Sequence, residues 1–194
     1  MQVLLDDYAG AAVVATDLVN TAPEVAVSTG DGLADPVALA DFLARRGLQL
    51  DALAGGLPPT RADLTAVHRL RRELREIIDT PEPVALAAGL GRLLGAAATG
   101  PALVDTGSGG WRWQVRSRPR AGVAGELTVL LTAGLLGVLR TLGPDRFRPC
   151  AAPTCAGAFV DISRGGRRRY CAPEVCGNRI NVANHRARRR ATQR

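Results

Sequence analysis

The sequence contains no lysine, and all 25 of its basic side chains are arginine. So complete a bias reads as genome-wide codon usage, and the choice of Arg over Lys carries no functional weight. Cysteine is absent from the first 149 residues. Long apolar runs are missing as well. The longest, Leu127 to Leu139, has 13 residues between Glu126 and Arg140, whereas a membrane span needs about 20. The run therefore predicts a buried helix. Asp6 and Asp7 stand where a secretory signal would carry a basic stretch and then an apolar core. The expectation is a cytoplasmic protein without membrane contact, where stable disulfides are rare. Residues 1–139 also lack a phosphate-binding glycine loop, a His–Glu pair at helical metal spacing and a Ser/His/Asp set. No catalytic residue is nominated.

What is present fits one domain plus a small module: 194 residues, 46% apolar and 22% charged. The net charge of +7 is unevenly placed. Residues 1–139 hold 12 Arg against 15 Asp and Glu, net −3, and residues 140–194 hold 13 Arg against three acids, net +10. A mildly acidic body is followed by a strongly basic end.

The body reads as mostly helical. Ala11 to Val19 is apolar and suits either helix or strand, with Asn20-Thr21-Ala22-Pro23 breaking it. Asp35-Pro36 caps and starts a helix, Gly47 stops it, and Val37, Ala40, Phe42, Leu43 and Ala44 supply its apolar stripe. Thr60-Arg61-Ala62-Asp63 caps the next helix, whose buried face is Leu64, Val67, Leu70, Leu74, Ile77 and Ile78. His68 lies beside that face as a half-buried side chain. Val84 to Ala98 predicts a third helix with Leu86, Leu90, Leu93 and Leu94 inward, and Gly122 to Leu142 a fourth ending at Gly143-Pro144. Between them the period changes to two. Trp111, Trp113 and Val115 alternate with Arg112, Gln114 and Arg116, so the tryptophans are expected on a core-facing strand paired with Ala102-Leu103-Val104. A base-stacking platform is the opposed reading of those tryptophans.

Chemistry concentrates at the end of the chain. Cys150, Cys155, Cys171 and Cys176 form two pairs, each enclosing four residues, with 15 residues between the pairs. Close pairs let two short turns present four thiolates to one tetrahedral ion, so a single structural Zn²⁺ is expected. An iron–sulfur cluster takes the same ligands and stays open. Four thiolates leave no position for a catalytic water. The intervening segment suits a hairpin, with Ala158 to Ile162 and Arg167 to Tyr170 as strands about a Ser-Arg-Gly-Gly turn. A helix starting at the metal site would then place Ile180, Ala183 and Ala187 on one face. It would place Arg179, Arg186 and Arg190 on a second, and Asn181, His185 and Arg188 on a third. Such a treble-clef-like finger can deliver a helix to the major groove. The candidate nucleic-acid contacts are Arg167, Arg168, Arg169, Asn178, Arg179, Asn181, Arg186, Arg188, Arg189 and Arg190. A solvated tail is the plain alternative. Four zinc-bound thiolates and the ion lower the basic end from +10 to +8, so part of the Arg cluster balances an anionic site.

These residues resemble a known family. Cys-x4-Cys, the segment with Asp161 and Ser163-Arg164, Arg168-Arg169-Tyr170-Cys171 and Cys176-Gly177-Asn178-Arg179 look like the CGNR zinc finger. Asp17-Leu18-Val19-Asn20-Thr21 is similar to the opening motif of the helical ABATE domain, which such fingers commonly follow. Tyr170 stands where that finger more often has Trp. The resemblance implies a mainly α fold with a β-hairpin: a helical ABATE-like domain over 1–145 and a small zinc finger over 146–194. It also implies a bacterial, stress-related transcription regulator bound to double-stranded DNA. The body would dimerise or sense a small-molecule effector. An RNA- or ribosome-associated protein, or an enzyme with a purely structural zinc, are the alternatives.

Overall fold

The computed structural model describes residues 1–5, 8–25, 30–105, 107, 109–178, 180, 182 and 189. The ambiguous N-terminal stretch resolves into both element types: a short strand, β1 (Gln2–Leu4), and a helix, α1 (Ala9–Val19). Then follow α2 (Pro36–Arg45), α3 (Arg61–Ile78), α4 (Pro83–Ala97), β2 (Ala102–Asp105), β3 (Trp111–Arg116) and α5 (Gly122–Leu142). Two short strands, β4 (Phe147–Pro149) and β5 (Ala158–Val160), close the described order before a turn at Pro173–Gly177.

The local signals act as their chemistry requires. Asp35 accepts the Ala38 amide at 2.8 Å with Pro36 in the first turn. Thr60 and Asp63 exchange a reciprocal capping box. Gly143, at φ 89°, ends α5. All six apolar residues expected inward on α3 are buried, and His68 Nε2 meets the Leu33 carbonyl oxygen at 2.9 Å. The stripe on α2 is corrected: Leu39, Phe42 and Leu43 are buried, whereas Val37 and Ala44 face solvent.

Helix α5 is the core. It packs against α1, α3 and α4, and Leu127, Leu131 and Leu135 are fully buried. By length and hydropathy it could cross a membrane, but 61% of that apolar stretch is buried inside the fold. Glycine makes the closest crossing possible. A Cβ on Gly134 would lie 2.6 Å from the Ala11 Cβ, and one on Gly137 would lie 2.3 Å from the Tyr8 Cβ. Small residues here let α1 approach the α5 backbone.

The sheet differs from expectation in two ways. It has three strands in the order β1-β3-β2, all antiparallel, because the uncharged Gln2–Leu4 segment pairs with Gln114–Arg116. The tryptophans also face solvent: Trp111 is 66% and Trp113 53% exposed, while Gln114 and Val115 are buried. Val115 packs with Val129 and Ala133 of α5, and the tryptophan end of the strand runs beyond that cover.

The hairpin near the cysteines is corrected as well. β5 pairs antiparallel with β4, Phe147 opposite Val160 and Pro149 opposite Ala158. Residues 167–170 form no strand. The turn at Gly165-Gly166 forms as expected, with the Gly166 amide donating to the Ser163 carbonyl at 3.1 Å. Ala158 and Val160 belong to the main core, so this hairpin rests on the helical body.

Candidate metal centre

The β4–β5 hairpin fixes the first cysteine pair. Cys150 leaves β4 and Cys155 closes a turn, its amide donating to the Ala152 carbonyl at 3.0 Å. The Cys150 amide donates to Gly157 at 2.7 Å, which keeps the loop folded back on itself. The second pair arrives from the far side, where the Ala151 amide donates to the Arg169 carbonyl at 2.8 Å. Cys176 sits in the Pro173–Gly177 turn, held by its amide to the Ala172 carbonyl at 2.7 Å.

All four Sγ atoms lie within 4.8 Å of one another. Cys155 and Cys171 are 3.5 Å apart, and Cys171 and Cys176 3.8 Å. Sulfurs about 2.3 Å from a central zinc define a tetrahedron with edges of about 3.8 Å, so these spacings suit the ion. Backbone amides also point at sulfur, from Gly157 to Cys155 and from Cys171 to Cys150, each at 3.4 Å. Gly157 must be glycine for a different reason: a Cβ there would lie 2.8 Å from the Cys171 sulfur and 3.2 Å from that of Cys155.

The electrostatics ask for a cation. Burial pushes the Cys171 thiol far up, and the neighbouring sulfurs of Cys155 and Cys150 push it further. Burial likewise raises Cys176. At Cys150 burial acts in the same direction, but the amides of Cys171 and Ala152 outweigh it and the thiol moves down. Burial thus opposes ionisation at Cys171 and Cys176, and a divalent ion reverses that balance. The donor set fits zinc, and Cys150, Cys155, Cys171 and Cys176 can hold one ion.

Around the sulfurs, three arginines serve the finger's own structure, and of these only Arg168 is among the expected nucleic-acid contacts. Arg168 stacks on the Phe159 ring at 4.9 Å, and its guanidinium donates to the carbonyls of Tyr170, at 2.8 Å, and Cys171. Arg146 donates to the Asp161 and Ser163 carbonyls at 3.0 and 2.8 Å. Arg148 reaches the Gly166 carbonyl at 2.9 Å. At their centre Asp161 is fully buried, accepting from the Ser163 amide and hydroxyl and from the Arg168 amide at 3.0, 2.6 and 2.9 Å. Burial alone would raise its carboxyl, but the Ser163 bonds, the Arg168 amide and the Arg148 charge outweigh it and hold the group low.

Of the candidate contact residues, Arg167, Arg169 and Arg189 are exposed, and Asn178 is exposed with its amide donating to the Glu174 carbonyl at 2.7 Å. Arg168 is half-buried and internally bonded. Arg179, Asn181, Arg186, Arg188 and Arg190 lie outside the described residues, as do Ala183, His185 and Ala187.

Sequence reasoning missed the residues that tie the centre to the body. The Asn20 side chain donates to the Ala158 carbonyl at 2.7 Å and accepts the Ala158 amide at 2.9 Å, acting as a third strand for β5. Arg75 of α3 donates to the Ala156 carbonyl at 2.6 Å. Asp17 sits 2.9 Å from Arg46, with burial raising its carboxyl against the pull of Arg46 and Arg168. Thr21 accepts from Arg71, which also forms a bidentate pair with Asp31 at 2.7 Å. The signal was the motif Asp17–Thr21 itself. Asp17 interrupts the mostly apolar α1 and Asn20-Thr21 directly follow it, polar residues to which the sequence assigns no partner.

A helical body whose core holds the base of a four-cysteine knuckle defines a zinc-finger protein. The finger over residues 146–189 matches the CGNR zinc finger. The chain belongs to the ABATE family, described as "Putative stress-induced transcription regulator", which matches residues 12–166. The two matches overlap across the β4–β5 hairpin, the segment shared by finger and core. No curated protein matches the chain.

Proposed function

We propose that this protein is a zinc-dependent regulator that binds double-stranded DNA through its C-terminal finger. The supporting observation is the convergence of four cysteine sulfurs immediately before the Arg-rich segment that begins at Asn178. Zinc held by four thiolates has a closed coordination sphere, so its contribution is folding energy and orientation. Exposed Arg167, Arg169 and Arg189 contact phosphates, joined by Arg179, Arg186, Arg188 and Arg190. Asn178 and Asn181 complete the polar face, and base readout comes from Asn181 or an arginine of the same segment. Arg168 is set apart from these residues, because its Nε and Nη2 groups are turned inward to the Tyr170 and Cys171 carbonyls. The helical body, residues 1–145, supplies the regulatory half by self-association or ligand sensing, and the protein works in the cytoplasm at the nucleoid.

The test is fluorescence anisotropy of a labelled duplex with the zinc-loaded chain, repeated across salt and in competition with structured RNA at matched salt. A log–log salt slope of about −0.9 for each phosphate contacted is expected, with the duplex the stronger competitor. A flat salt dependence would remove the arginine surface from the account. Stronger competition by RNA would move the function to RNA or ribosome association.

A further inference from the structure

A cleft of about 420 Å³ opens between the three-stranded sheet and α5, lined by Leu5, Leu94, Trp113, Val115, Leu136 and Arg140 among others. Its volume lies within the usual range of about 300–1,000 Å³ for small-molecule sites. Every lining residue is apolar except Arg140. That arginine is exposed, in the last turn of α5, and has no acidic partner among the described residues. On the opposite wall Trp113 keeps 53% of its surface exposed, and the apolar surface continues over Trp111 and Leu103 on the sheet. A tryptophan left open to water against a concave apolar wall is costly unless something covers it.

We propose that this cleft binds a small amphipathic organic anion, with an aromatic or branched apolar body against Trp113, Leu94 and Leu136 and a carboxylate at Arg140. An apolar body recovers the exposed area, and a carboxylate matches the guanidinium in a charge-assisted, bidentate geometry. A neutral apolar ligand would leave Arg140 unused, and a cation would be repelled by it. The site lies apart from the cysteines, but α5 links the two directly: Arg140 precedes Cys150 by ten residues, through Gly143-Pro144 and β4.

The experiment uses the full zinc-loaded chain carrying Trp111→Phe, which leaves Trp113 as the single tryptophan reporter. Its emission is titrated with 4-phenylbutanoate and, separately, with the neutral 4-phenylbutanamide. Saturable binding of the acid is expected, about tenfold tighter than the amide. Arg140→Gln should erase that preference while leaving amide binding unchanged, a result that a merely helix-capping Arg140 would not produce. Equal affinity for acid and amide, or no saturation by either, overturns the proposal. So does emission that shifts with protein concentration and ignores both compounds, which would assign the face to a second copy of the chain.

Discussion

Replacing Asn20 with alanine removes two of the hydrogen bonds that join body and finger. Ala158 is 1% exposed, so its amide and carbonyl cannot turn to water when the Asn20 side chain is lost. An orphaned buried polar group costs about 1–3 kcal/mol. Two such groups, partly relieved by local relaxation, give about 3 kcal/mol. The loss falls beside Cys155 and Gly157, because the Asn20 oxygen lies 3.2 Å from where a Gly157 Cβ would be. Urea unfolding followed by far-UV circular dichroism should therefore show stability falling by about 3 kcal/mol. Zinc release to a chromogenic chelator should accelerate by about a hundredfold, the same energy expressed as a rate. Thr65→Ala serves as the control: its hydroxyl bonds the Arg61 carbonyl at an exposed site and should change stability by less than about 0.5 kcal/mol. If Asn20→Ala matches that control in both assays, the link between motif and metal centre is wrong.

Other perturbations reach separate parts of the structure. Gly157→Ala should weaken zinc binding in a competitive chelator titration by at least about tenfold, since its methyl would overlap the Cys171 sulfur; unchanged affinity would show that the loop relaxes freely. Gly137→Ala should destabilise the body by about 2–4 kcal/mol in urea, because Tyr8 and α1 must move away from α5. Asp31→Asn strands Arg71, which is 6% exposed, and should cost about 3 kcal/mol at neutral pH. Arg71 holds the Asp31 carboxyl below its ordinary 3.8. The stabilisation is therefore complete above that value and drains away as pH falls through the lower folded value. The stability gap between wild type and Asp31→Asn should narrow in acid below about pH 4, and a constant gap would exclude the ion pair as its source.

The parts of this structure legible in the sequence are those whose causes are local. Asp35-Pro36, Thr60 with Asp63 and Gly143-Pro144 mark helix ends because a cap acts within one turn. The four cysteines are legible because one ion dictates their spacing. The misreadings share a different cause. Whether Trp113 is buried depends on where α5 stops covering the sheet, which no alternation within β3 encodes. The sequence places the partner of β5 after the turn rather than before it, because Arg167 to Tyr170 follows the Ser-Arg-Gly-Gly turn; in the fold that segment spends its groups around Asp161 and the cysteines. Charge counting alone does not separate arginines that are free from arginines that are bonded internally. Arg146, Arg148 and Arg168 satisfy carbonyls that a small module has no other means to pair.

Among the described residues, fewer arginines near the finger are free than composition suggests, and the proposed function makes the placement of the rest depend on the metal centre. The most direct test measures anisotropy of a labelled duplex with the zinc-loaded chain, after metal removal verified by elemental analysis, and after zinc is restored, alongside Cys171→Ser. Affinity should fall by at least about tenfold on removal, return on restoration and stay low in Cys171→Ser. Duplex affinity that survives verified zinc removal would contradict the zinc-ordered account.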